Sequence, residues 1–279
     1  MKKSILQILV VFLLATAQAG FTQSGVTHYI RYSHEGKTSL GILENDIIHE
    51  LWGDDLFANP PRTGNTVRLD QVRVEIPVES RQIFALGLNY QDHLGDRDIP
   101  EVPSLFVKLP STLAAHEEPI VYRDGFSDLH YEAELVLIIG RTGKDILLDE
   151  AGDYIFGVTA GNDISERVWQ ASHRHLVRAK GSDQFGPVGP VIATGLDYNN
   201  LNIESRLNGE LRQSSNTRYL MRGAHELVSH ISQYVTLLPG DMIFTGTPGQ
   251  TAAMQPGDTV EISLQGVGVL RNRIVADKP

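Results

Sequence analysis

Glu132 and Glu134 stand two residues apart at the head of the apolar run Leu135–Ile139. In a strand, side chains at i and i+2 share a face, so these carboxylates point one way and Ala133 the other. The run that follows is too apolar for a solvated edge, which predicts a sheet covered on both faces. Two like charges beside a core are costly unless a cation compensates them. A hard divalent ion is the simplest answer, because Mg²⁺, Mn²⁺ and Ca²⁺ prefer oxygen ligands. Asp163, in Gly161-Asn162-Asp163-Ile164-Ser165, offers a third acid about one strand and one turn downstream. The competing reading is a solvated strand face, or a pair that serves as partner to Lys and Arg.

Three further segments carry chemistry. Lys180 is either a surface residue or, beside a metal–carboxylate cluster, a cation that balances charge and polarises a substrate oxygen. His93 is followed three residues later by Asp96, and a carboxylate in reach of a histidine orients it and raises its basicity, as a general base requires. With ten histidines in the chain, His173 and His175, which lack such a companion, are assigned no role. Thr245-Gly246-Thr247-Pro248-Gly249-Gln250 lacks the Gly-Lys-Ser/Thr ending of a phosphate loop, and no G-x-G-x-x-G opens a helix, which argues against a nucleotide. The segment is either a tight turn or a strand-end loop whose N–H groups and Thr hydroxyl bind a carboxylate. A glycosidase reading of Glu132 and Glu134 is disfavoured. Neighbours on one strand face lie about 7 Å apart, between the retaining and inverting separations, and no aromatic-rich cleft segment accompanies them.

The elements that must position these groups fall into two parts. Residues 26–75 read as short strands and turns: His28–Tyr32, Leu40–Glu44 and Asp46–Leu51, with the turn-rich Asn59–Gly64 near the end. From Gln82 the strands are longer and more apolar: Ile83–Leu88, Ser104–Lys108, Leu135–Ile139 and Tyr154–Thr159. Helices are few. One is expected over Ser165–His175 with Ser165 as N-cap. Another is expected over Gly223–Tyr234, where Ala224, Leu227, Val228 and Ile231 recur at helical spacing. Leu238-Pro239-Gly240-Asp241 and Gln255-Pro256-Gly257-Asp258 repeat one turn-then-strand device, and Pro-Gly suits a type II turn.

Residues 1–19 carry a secretory signal peptide pattern: Lys2 and Lys3, the apolar Ile5–Ala15, and Ala17-Gln18-Ala19 before Gly20. The expected destination is periplasmic or secreted, with no stable membrane anchor after cleavage; a buried helix or an uncleaved anchor is the alternative. Zero cysteine excludes disulfides, thiolate metal sites and a lipoprotein anchor. Losing 1–19 takes the net charge from −10 to −12. An acidic surface with no basic run argues against nucleic acid and against anionic membranes. The expected division is 1–19 signal peptide, 20–78 small N-terminal β-domain, and 79–279 catalytic domain.

Seven segments, in order and at matching spacing, resemble the fumarylacetoacetate hydrolase superfamily over about residues 82–275. They are Gly87–His93, Phe106-Val107-Lys108, Tyr131–Leu135, Asn162–Arg167, Lys180–Pro190, Asn208–Gln213 and Leu238–Gly249. Residues 26–75 look like the small N-terminal domain found on many members. The resemblance implies an α+β, β-dominated fold: a mixed β-sandwich roll of the fumarylacetoacetase C-terminal type with a small N-terminal β-domain. It implies that Glu132, Glu134 and Asp163 are metal ligands for Mg²⁺ or Mn²⁺, with Ca²⁺ also admitted. Lys180 would stand beside the metal, and His93 with Asp96 would form a lid pair that activates water. Arg167, Gln170, Gln213 and Thr247 would line the substrate site. The lid acid is an Asp where the family usually has Glu, position 181 is Gly where many members have Ser, and an exported member is unusual. The implied activity is metal-dependent chemistry on a small 2-keto acid through a chelated enolate, with C–C hydrolysis of the acylpyruvate type first. Decarboxylation or isomerisation of 2-hydroxy-diene dioates or oxaloacetate is the alternative on the same site, and a catalytically silent keto-acid-binding module is the non-enzymatic rival. The family often forms homodimers.

Overall fold

The structure is a computed structural model that describes residues 25–172 and 176–277. The leader pattern at 1–19 and the segment holding His173 and His175 lie outside the described residues. The chain is β-dominated, as expected. Its large sheet runs in the order Arg62–Arg68, Ile47–Leu51, Lys37–Glu44, Thr27–His34, Gly186–Thr194, Ile155–Asn162, Ala133–Ile139, Met242–Phe244, Ile83–Gly87 and Ser104–Lys108. The first four strands form an antiparallel meander that joins the rest through Thr27–Tyr29 against Ile192–Thr194. A second sheet runs Glu210–Asn216, Asn202–Leu207, Thr259–Leu264, Gly268–Ala276 and Ile120–Tyr122.

The Ala133–Ile139 strand shows why an unbroken apolar run was needed. Leu135, Leu137 and Ile139 enter one core with Ile203, Ile262, Leu264 and Leu270 of the second sheet. Val136 and Ile138 enter another with Met242, Phe244, Leu40, Leu51 and Leu56, the last three from the N-terminal meander. Both faces are covered, and by alternation Glu134 and Glu132 lie on the Val136–Ile138 side.

The Ala224–Ser232 helix buries Ala224, Leu227, Val228 and Ile231, the stripe that the spacing predicted. The other helix differs from expectation. Ser165 and Glu166 form a short strand against Leu129–His130, and the helix begins at Arg167 and runs to Ser172. Ser165 is not its cap, because its hydroxyl donates to the Asp163 carbonyl at 3.0 Å. Glu166 takes that part instead, accepting from the Trp169 N–H at 2.6 Å.

Both Pro-Gly turns form with the glycine in the left-handed region, at φ 90° for Gly240 and 102° for Gly257. In each, the Asp carboxylate accepts the N–H three residues back, 2.7 Å from Leu238 and 2.7 Å from Gln255.

Candidate metal and substrate site

The three acids converge through one antiparallel ladder. Glu134 pairs with Gly161 and Ala133 with Asn162. Beyond them the Asp163 N–H donates to the Glu132 carbonyl at 3.0 Å, and the Glu132 N–H donates to Asn162 Oδ1 at 2.9 Å. Gly161 is required at that register, because a Cβ there would stand 2.4 Å from Val136 Cγ2 and 2.7 Å from Phe244 Cε1. One ligand oxygen from each of Glu132, Glu134 and Asp163 lies within 4.8 Å of the others, and all three residues are buried.

Cations surround this cluster. Lys180 Nζ meets Glu132 Oε2 at 2.7 Å and Asp163 Oδ2 at 2.6 Å. Lys108 Nζ meets Asp163 Oδ1 at 2.5 Å and donates to the Lys180 carbonyl at 2.5 Å. Arg167 Nη2 meets Glu132 Oε1 at 2.7 Å. The charges are shared unevenly. Burial raises the Glu132 carboxyl, but Lys180 and Arg167 reverse this and hold it well below its ordinary value. Glu134 makes no ion pair among the described residues. Burial, then the Asp163 and Glu132 charges, push it well above the carboxylate range, against the Lys180 charge and one N–H donated by Gly246 at 2.7 Å. For Lys180, burial works downward and the charges of Asp163 and Glu132 outweigh it, so the ammonium is held. For Lys108, burial prevails and lowers the value.

The donor set is three carboxylates with neither imidazole nor thiolate, which suits a hard divalent cation and leaves room in its shell for water or substrate oxygens. Their crowding gives the reason such an ion would be held: three buried carboxylates, one of them without an ion pair among the described residues.

The other expected residues take more varied places. His93 sits on the short helix Gln91–Leu94, close enough to Glu132 to act on its charge. Its Nδ1 lies 2.7 Å from the Gly249 carbonyl. A carbonyl only accepts, so Nδ1 donates to it and Nε2 is the ring nitrogen which that bond leaves unused. Gly249, not Asp96, is therefore the partner that orients the ring. Gly95 turns the chain off the helix at φ 66°, and Asp96 is exposed beyond it.

Gln170 Oε1 accepts from Arg167 Nη1 at 2.7 Å. Gln213 and Thr247 are buried against each other, with Gln213 Nε2 donating to Thr247 Oγ1 at 2.9 Å and to the Pro248 carbonyl at 2.5 Å. Gln213 Oε1 accepts from the Ala133 N–H at 3.2 Å. Its carboxamide thus ties the Thr247-Pro248 turn to the strand that bears the acids. The strand-end loop does bind a carboxylate through an N–H, but the carboxylate is Glu134. Gly181 has a steric reason to lack a side chain: a Cβ there would stand 2.6 Å from the Val177 carbonyl oxygen.

Two residues of the cluster had no role in the sequence reading. Lys108 ends an edge strand, where a lysine is ordinarily solvated, and only its neighbours in space mark it as buried. Asn89 bonds the carbonyls of Thr245 at 2.8 Å and Arg222 at 3.0 Å, and so fixes the loop that delivers the Gly246 N–H.

The fumarylacetoacetate hydrolase C-terminal family matches residues 82–275, and an Rv2993c-like N-terminal family matches residues 27–77. The chain is 34% identical over 219 residues to the oxaloacetate tautomerase YisK of Bacillus subtilis, covering 73% of each protein. Its fold matches the 5-carboxymethyl-2-hydroxymuconate delta-isomerase of Mycobacterium smegmatis at TM-score 0.85 and 35% identity, over 90% of this chain and all of that one. It also matches the maleylpyruvate hydrolase of Sphingobium sp. SYK-6, a structure in complex with manganese(II) and pyruvate, at TM-score 0.74 and 26% identity, over 90% of this chain and all of that one. The chain belongs to the fumarylacetoacetate hydrolase family.

Proposed function

We propose that this protein is a divalent-metal-dependent enzyme that moves a proton at the carbon next to the keto group of a small 2-keto acid, as an isomerase or tautomerase does. The observation that carries the reading is the pairing of a buried three-carboxylate cluster with a histidine whose Nδ1 is fixed by the Gly249 carbonyl, so that Nε2 is the nitrogen available to exchange a proton. Glu132, Glu134 and Asp163 would hold Mg²⁺ or Mn²⁺, and the ion would supply a Lewis acid for the keto and carboxylate oxygens of the substrate. Lys180, locked between Glu132 and Asp163, keeps an ammonium beside the oxygen on which charge develops. Lys108 fixes Asp163 from the other side. His93 Nε2 takes and returns the proton, with the Gly249 carbonyl setting its tautomer. Arg167, steadied by Gln170, presents a guanidinium to the substrate carboxylate, and Gln213 sets the wall formed by Thr247.

C–C hydrolysis is the second reading, favoured by the likeness to a maleylpyruvate hydrolase. It needs the same His93 nitrogen, directed at water. Export through residues 1–19 and a homodimer belong to the same proposal; the mass of the secreted protein and its sedimentation test them.

The test is turnover of residues 20–279 with Mg²⁺ or Mn²⁺ against oxaloacetate, acylpyruvates and 2-hydroxy-diene dioates, with EDTA as control. The expected result is metal-dependent exchange of a substrate C–H with solvent deuterium without cleavage; cleavage products would select the hydrolytic reading. His93→Ala should remove turnover while oxalate affinity stays within about threefold. Full turnover in that variant would sink the assignment of the base.

A further inference from the structure

Arg167 is held by more than Glu132 and Gln170. Its Nη2 also donates to Thr251 Oγ1 at 2.9 Å. Thr251 Oγ1 lies 2.7 Å from His130 Nδ1, and His130 Nε2 lies 2.9 Å from Asp128 Oδ1. A guanidinium only donates and an ionised carboxylate only accepts. Asp128 therefore receives the Nε2–H of His130 and the Thr251 oxygen receives Arg167, while the Thr251 hydroxyl and His130 Nδ1 bond each other between them. No donor faces a donor anywhere along it. His130 and Asp128 come from one segment, paired with Ser165–Glu166 immediately before Arg167, and Thr251 comes from the loop that also carries Thr247 and Gly249. Two separate segments are thus linked in series to one guanidinium.

We propose that Asp128, His130 and Thr251 form a brace that positions Arg167 for a substrate carboxylate. The inference rests on the reading of Arg167 as a substrate-anion anchor. Without the brace, the strongest partner left in reach is Glu132, and a guanidinium beside a buried carboxylate turns to pair with it as fully as it can. Thr251 holds one Nη2–H away from Glu132, which keeps the fork of the partly exposed Arg167 from closing on that carboxylate. These three are positioning residues, since they act through Arg167.

The test is calorimetric titration of oxalate into the Mn²⁺-loaded protein. Thr251→Val keeps the side-chain shape and removes both hydrogen bonds, and should weaken oxalate about tenfold. Thr251→Ser should restore affinity to within about twofold. Arg167→Ala should weaken oxalate at least as much, and adding Thr251→Val to it should cost nothing more, because the residue it acts through is gone. Mn²⁺ affinity and melting temperature should stay at wild-type values in Thr251→Val, which a merely structural role would not allow. With a turned-over substrate, the loss should fall on KM. Additive losses in the double variant, a loss confined to kcat, or unchanged oxalate binding in Thr251→Val would each overturn the brace. If the wild type binds no Mn²⁺, the proposed function fails by itself. The brace is then judged on the metal-free protein by side-chain NMR: the Arg167 guanidinium should be fixed in the wild type and rotate freely in Thr251→Val, and equal behaviour in both would overturn it.

Discussion

Glu50 in the N-terminal meander and Glu134 at the metal site are both strand carboxylates, yet their surroundings treat them oppositely. Glu50 accepts from Lys37 Nζ at 2.8 Å, Asn65 Nδ2 at 2.8 Å, Thr63 Oγ1 at 3.2 Å and Ser39 Oγ at 3.3 Å. It is half-buried at the surface, and its donors, Lys37 and Asn65 foremost, pull the carboxyl down to about 2. Glu134 is fully buried, receives one N–H, and faces two other acids. Glu50 is satisfied by its own neighbours and asks nothing of a ligand. Glu134 is left in an environment that its own fold does not neutralise, which is a cost a protein carries where a bound cation will offset it. What separates a structural acid from a ligand-seeking one here is the sum of donors and like charges around it, not the residue type.

The comparison is broken most decisively by neutralising one acid of each kind. Glu134→Gln should weaken Mn²⁺ at least about 100-fold and abolish turnover, while the melting temperature of the metal-free protein holds or rises, since a crowded acid is removed without loss of volume. Glu50→Gln should leave Mn²⁺ affinity and turnover at wild-type values and lower stability by about 1 kcal/mol, or roughly 2–4 °C in melting temperature. Calorimetry and thermal unfolding read both variants. A Glu134→Gln protein that still binds Mn²⁺ tightly, or a Glu50→Gln protein that loses it, would collapse the distinction.

The part of this contrast that was legible in the sequence is the part set by periodicity. The i, i+2 spacing put Glu132 and Glu134 on one face, the apolar run behind them required cover on both sides, and the Ala224–Ile231 stripe set a helix. The two Pro-Gly-Asp turns were readable because positive φ and a fixed local hydrogen bond need only four residues. Contacts between distant segments were not readable. Lys108 and Asp163 lie 55 positions apart, and nothing local distinguishes a buried lysine from a solvated one. The same limit explains His93: Asp96 was the nearest acid along the chain, but the ring found Gly249, 156 positions away. Ser165 looked like a cap because cap residues are recognised by type, whereas its neighbour Glu166 could reach the helix N–H while Ser165 was committed to a strand pair.

The contrast extends to the turns and gives a pH signature. Asp241 is buried in its turn, with one carboxylate oxygen, Oδ1, lacking a hydrogen-bond partner among the described residues, and burial pushes its carboxyl up to about 6 from 3.8. The protonated form is favoured in the fold, so the stability it contributes is full below pH 3.8 and lost as pH rises through 6. Asp241→Asn should therefore gain on the wild type by about 2 kcal/mol between pH 4 and pH 7. Glu50 has the opposite sign. Its folded value is depressed from 4.5 to about 2, so its contribution is full above pH 4.5 and lost as pH falls toward 2. The gap between wild type and Glu50→Gln, about 1 kcal/mol at pH 6, should close below pH 3, and it should be the smaller of the two effects because part of the pairing is screened by water. Urea unfolding of the metal-free proteins across pH 2–7 measures both gaps. If rising pH favours both variants over the wild type, or the wild type over both, the two carboxylates are not held in opposed environments, and Glu50 loses its standing as the satisfied reference against which the metal site is judged.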